Sequence, residues 1–150
     1  MARIFLNLLL LVFLSSCATS SNQIQDVEAP LSQVKAVIKK NLPLGLRGVS
    51  ANGREFYSNY FLVVKGKHMK AENLQYRKFA SVSVLGDRRP YTIKVEVFLE
   101  KRSQPSANGL KQYKDFRRDK KYSEYLLRKI HNALENREES INFVDDFRVF

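Results

Sequence analysis

Residues 76–85, YRKFASVSVL, and residues 91–100, YTIKVEVFLE, joined by GDRRP at 86–90, decide the fold. In the second arm Tyr91, Ile93, Val95, Val97 and Leu99 alternate with Thr92, Lys94, Glu96 and Glu100. A period of two puts every second side chain on one face, so this is a strand with one buried and one wet side. Ala80, Val82 and Val84 of the first arm are the matching inward residues, and the turn-forming linker makes the pair a hairpin.

Upstream, Leu46–Ala51 and Arg54–Val64 flank Asn52-Gly53, which predicts another hairpin with a tight turn. A polar connection, Lys65–Gln75, leads from it to the central pair. Earlier still, Leu31, Val34, Val37 and Ile38 recur at helical spacing behind Pro30, predicting a helix over Pro30–Asn41 whose Lys35, Lys39 and Lys40 face solvent. Downstream of a Gly/Pro/Ser/Asn loop at 103–109, Tyr122, Leu126, Ile130, Ala133 and Leu134 mark a second helix. Ile141–Phe150 read as a final strand. The expected order is α-β-β-β-β-α-β, which makes an α+β two-layer sandwich: a mainly antiparallel sheet of four to five strands with two helices on one face.

The chain has 150 residues, 44% of them hydrophobic, with seven Tyr and ten Phe, so a single packed domain is expected rather than a disordered polymer. Its most apolar block, Ile4–Leu14, is too short for a resident transmembrane helix, which needs about twenty residues. Preceded by Arg3 and followed by small residues, that block has the layout of a secretory signal. Leu14-Ser15-Ser16-Cys17 resembles the lipobox of bacterial lipoproteins. The resemblance covers only the leader; the family of the mature domain is not identified. It implies removal of residues 1–16, acylation of Cys17, a tether at 17–29 and one periplasmic domain at 30–150. With Ala18 rather than Asp after the cysteine, it further implies sorting to the outer membrane, with the domain facing the periplasm. The alternative is an ordinary signal peptide with a chance cysteine. Because Cys17 is the single cysteine, no disulfide supports the fold.

The net charge is +11, and +10 once Arg3 is removed with the leader. From Lys101 to Lys129 ten basic residues stand against three acids, Asp115, Asp119 and Glu124. Such a concentration attracts phosphate or carboxylate groups, and Lys111, Lys114, Arg117, Arg118, Lys120 and Lys121 are the candidate anion-binding residues. The alternative is a solvated surface that keeps a small domain soluble. Tyr113, Phe116, Tyr122 and Tyr125 interleave with these cations as in nucleic-acid binders, but the compartment and the helical spacing argue against that partner.

Catalytic signatures are missing from the sequence. His68 and His131 stand far apart outside any metal-ligand spacing, and no nucleophile elbow, zinc motif or phosphate loop occurs. Glu138-Glu139 and Asp145-Asp146 are adjacent pairs, and neighbours in a strand point to opposite faces. The expectation is a non-enzymatic, outer-membrane-anchored lipoprotein without cofactor or metal, whose domain binds another cell-envelope component. The alternative is a binder of anionic glycolipid or cell-wall polymer through segment 101–129.

Overall fold

The computed structural model describes residues 22–103 and 112–145. In chain order the elements are β1 (Gln23–Val27), α1 (Leu31–Asn41), β2 (Leu46–Val49), β3 (Glu55–Ser58), β4 (Phe61–Val64), β5 (Lys67–Lys70), β6 (Tyr76–Leu85), β7 (Tyr91–Arg102), β8 (Tyr113–Arg118) and α2 (Lys120–Asp145). The class is α+β, with two helices and an antiparallel sheet. The sheet has eight strands rather than four or five: β1-β7-β6-β3-β2 form its main path, β8 pairs with β7, and β4 bridges β6 and β5.

β6 and β7 are its centre. They stay in register over ten residue pairs, from Tyr76↔Lys101 to Leu85↔Thr92. Ala80, Val82, Val84, Tyr91, Ile93, Val95, Val97 and Leu99 are all buried, as the alternation predicts. They join Val34, Val37 and Ile38 of α1 and Leu126, Ile130 and Leu134 of α2 in the core, apart from Leu99, which is buried nearby. Removing these side chains from water is the main source of stability. α1 begins one residue after Pro30, whose carbonyl accepts from the Val34 amide at 3.0 Å. Proline suits that position because no helical partner awaits its missing N–H.

The opposite face of the sheet is half-covered by stacked side chains rather than fully wet. Arg77 lies between the rings of Tyr60 and Tyr113, 3.5 and 3.4 Å from their centroids, and pairs with Glu100 at 2.5 Å. Arg47 caps Tyr60 and donates to its hydroxyl at 2.6 Å, while Phe79 stacks on Phe98. Planar guanidinium groups spread on aromatic rings shield apolar surface, and the Arg77 charge is met by the Glu100 carboxylate.

Five expectations are corrected. The tether at 17–29 contains β1, because strand pairing with β7 uses backbone groups and tolerates the polar run QIQDV. The hairpin at Asn52-Gly53 forms, with Ser50 and Glu55 closing a four-residue loop, but its second arm breaks after Ser58 into β3 and β4. There the buried Ser58 hydroxyl accepts from the Ala80 amide at 2.9 Å in place of a strand partner. The polar connection at 65–75 contains β5, and the basic segment forms β8. The final strand is replaced by α2, which runs on through Asp145; residues 146–150 lie outside the described residues. The observed order is therefore β-α-β-β-β-β-β-β-β-α.

Candidate binding cleft

Where α2 begins, the chain is fastened to the sheet by a compact set of hydrogen bonds. Asp119 caps the helix: its Oδ1 accepts from the Tyr122 amide at 3.0 Å, and its own amide donates to the Val97 carbonyl at 2.8 Å. Buried Ser123 accepts from the Val97 amide at 2.9 Å and donates to the Asp119 carbonyl at 2.8 Å. The other carboxylate oxygen of Asp119 binds Lys78 Nζ at 2.6 Å. Burial pushes the Asp119 carboxyl up, but the hydrogen bonds from Lys78 and the Tyr122 amide outweigh it and hold the group below its ordinary value.

Facing this helix start is the β4–β5 hairpin. β4 pairs with β6 at Phe61↔Lys78; from Leu62 onward the pairings described for the hairpin are within it, Leu62↔Met69, Val63↔His68 and Val64↔Lys67. Strand alternation turns Phe61, Val63 and His68 toward α2. Phe61 and Tyr122 have ring centroids 5.3 Å apart, and His68 is edge-on to Phe61 at 5.5 Å. Partial burial of the Tyr122 hydroxyl, with smaller contributions from Tyr125 and Asp119, pushes it up to about 12. It stays protonated and shares a hydrogen bond with His68 Nε2. Burial of the His68 ring, followed by the Lys129 charge, pushes that group down, so it is neutral at pH 7.

Between hairpin and helix lies a cleft of about 490 Å³ lined by Val63, Gly66, His68, Lys78, Asp119, Lys121, Tyr122, Tyr125 and Arg128. Its volume falls in the range of small-molecule sites. The walls from Val63, Tyr122 and Tyr125 are apolar, and three cations come from different turns of chain. Lys78 is neutralised by Asp119, whereas Lys121 and Arg128 have no ion-pair partner among the described residues. The result is an apolar slot with two positive charges that are unpaired among the described residues.

The candidate anion-binding residues do not share one surface. Lys121 lines the cleft, and Lys120 lies beside it in the first turn of α2. Arg118 pairs across the sheet with Phe98 and binds Glu96 at 3.0 Å on the stacked outer face. Arg117 sits opposite the buried Leu99, thus on the other side, and Lys114 sits opposite Lys101 beyond an irregularity in the register. Lys111 and Cys17 lie outside the described residues. Charge counting found Lys121 and, within the wider segment, Arg128; it missed His68, Lys78 and the capping role of Asp119. An Asp just before the apolar stripe at Tyr122 was a readable helix-start signal, whereas His68 and Lys78 converge only through strand pairing.

Among the described residues no group of three or more His, Cys, Asp or Glu is placed to hold a metal ion, and no helix is long and apolar enough to cross a membrane. Comparison with protein-family models, with curated proteins and with solved structures finds no match.

Proposed function

We propose that the chain is a non-enzymatic lipoprotein of the cell envelope, held at the outer membrane through Cys17, whose periplasmic domain binds another envelope component at the cleft. The observation that carries this reading is the cleft itself: Lys121 and Arg128 beside the apolar walls of Val63, Tyr122 and Tyr125. Exposed cations at the rim of such a slot favour a phosphate or carboxylate, and the aromatic walls favour a ligand with a ring or apolar body next to it. The likeness of Leu14-Ser15-Ser16-Cys17 to a lipobox supports the anchor and, with it, a supply of anionic glycolipid and cell-wall polymer. That ligand class would be read by Lys121 and Arg128 rather than by the whole basic segment.

Calorimetric titration with a glucosamine disaccharide phosphorylated at both ends tests the reading, with the unphosphorylated disaccharide as control. Only the phosphorylated sugar should bind, with affinity falling as salt rises. The Lys121→Gln/Arg128→Gln double variant should lose about tenfold or more, since hydrogen bonds to charged groups contribute about 1.5–3 kcal/mol each. Lys114→Gln/Lys120→Gln, of equal charge change, should bind as before. Equal losses in the two double variants would reduce the attraction to net charge and remove the cleft from the account. For the anchor, a fatty-acid analogue should label the parent chain and not Cys17→Ser.

A further inference from the structure

The β4–β5 hairpin has a second face, turned away from the cleft, and its composition is unusual for a solvated turn. Residues 63–70 read VVKGKHMK and contain three lysines and no acid. Val64 is 44% and Met69 50% exposed, and Lys65, Lys67 and Lys70 are exposed around them. By register Leu62, Val64, Lys67 and Met69 share the face opposite Val63 and His68. Apolar side chains at a tip ringed by lysines match the interface of an anionic bilayer: hydrocarbon below, phosphates around it.

The path of the chain places this tip on the side from which an anchor would come. β1 is antiparallel to β7, with Val27 opposite Tyr91 and Gln23 opposite Lys94, and the Asn22 carbonyl accepts from the Val95 amide at 2.9 Å. Followed backwards, β1 thus heads for the end of the sheet at which Leu99 stands opposite Lys78 and β4 leaves it, with β8 taking over the β7 edge from Phe98 onward. From Lys94 to Leu99 is about 17 Å of strand. Cys17, five residues before Asn22, reaches about the same distance when extended. The β6–β7 turn at Gly86–Pro90 lies at the other end of these strands.

We propose that the β4–β5 hairpin is a second membrane contact, seating Val64 and Met69 in the interface of an anionic bilayer with Lys65 and Lys67 on its phosphates. This rests on Cys17 being the anchor. With one attachment at the acylated residue and another at the hairpin, the domain is held with the hairpin end down and the β6–β7 turn pointing away from the membrane.

The chain contains no tryptophan, so Met69→Trp introduces a single reporter at an exposed site. The purified full chain carrying this substitution is reconstituted into vesicles of phosphatidylcholine alone or mixed with phosphatidylglycerol. On the anionic vesicles the indole emission should shift to shorter wavelength and be quenched by lipids brominated on their acyl chains. Arg88→Trp, in the β6–β7 turn, should remain water-exposed on both. Adding Lys65→Gln and Lys67→Gln to Met69→Trp should lower the ratio of docked to undocked hairpin by about fivefold per lysine. Mass spectrometry of the same preparation reports acylation independently. A chain without acyl groups would overturn the anchor and this orientation with it. An acylated chain whose Met69→Trp indole is as exposed to water as that of Arg88→Trp would overturn the hairpin contact alone.

Discussion

The β6–β7 pair and the β4–β5 hairpin are both two-stranded and antiparallel, yet they are held in opposite ways. Each residue of β6 faces a partner on β7, and the inward residues from Ala80 to Val84 and Tyr91 to Leu99 meet both helices in one buried cluster. The hairpin joins β6 at Phe61↔Lys78, and beyond the buried Phe61 its residues are exposed or half-exposed. An isolated hairpin is marginal in water, so it borrows stability from Phe61 beneath it and from the bond between His68 and Tyr122. Stability is thus concentrated in the sheet centre. The adaptable groups, a neutral His, cations unpaired among the described residues and exposed apolar side chains, are gathered where local opening costs least.

The largest expected effect breaks the centre. Val95 is fully buried, so Val95→Asp places an unpaired carboxyl in the core at a cost of several kcal/mol, against a total stability of about 5–15. Thr92→Asp, on the half-exposed face of the same strand, should be mild. Equal melting temperatures for the two variants would contradict the assigned faces. Next comes the joint between the regions. Asp119→Ala removes the cap of α2 and leaves Lys78 without its partner, which should cost about 1–3 kcal/mol in urea denaturation. Because the Asp119 carboxyl is held below its ordinary value of 3.8, this stabilisation is present above that pH and is lost as pH falls through the lowered value. The variant should therefore show a shallower acid limb than the parent.

The smallest effect belongs to the hairpin. His68 is held below its ordinary value of 6.5, so the unfolded chain binds the proton first; folding is most stable above that pH and weakens as pH falls through the window down to the lowered value. His68→Phe keeps an aromatic ring against Phe61 and Tyr122 but loses the bond to the Tyr122 hydroxyl, so it should flatten this slope and cost about 0.5–1.5 kcal/mol at pH 8. An unchanged slope between pH 7 and 5 would show that the titration seen there belongs to another group.

How much of this was readable from sequence follows the same division. Alternation at 91–99 and the helical stripes at 31–38 and 122–134 are produced by burial, and burial is what formed them, so centre and helices were legible. β1, β5 and β8 are held by backbone pairing with a neighbour and carry little apolar periodicity; QIQDV and KHMK read as tether and connection for that reason. YKDFRR hid its strand because the register irregularity between Leu99 and Glu100 breaks the alternation. The C-terminal half of α2 contains Ile141, Phe143 and Val144, residue types common in strands, and helix continuity overrode that preference. For the site, the positive charge was visible in composition. Which cations meet was not, because β8 sends Arg117 and Arg118 to opposite sides while hairpin and helix bring His68, Lys78, Lys121 and Arg128 together.

Native-state hydrogen exchange, followed residue by residue with and without the doubly phosphorylated glucosamine disaccharide, tests the central claim most directly. In the free protein the amides of β6 and β7 should exchange only through global unfolding, and those of Leu62–Lys70 through local opening at much lower free energy. With the sugar bound, protection should rise in β4, β5 and the first two turns of α2, leaving β1 and β2 as they were beyond any global stabilisation. Uniform exchange rates in the free protein, or new protection confined to strands away from the cleft, would contradict the division into a rigid centre and a binding end.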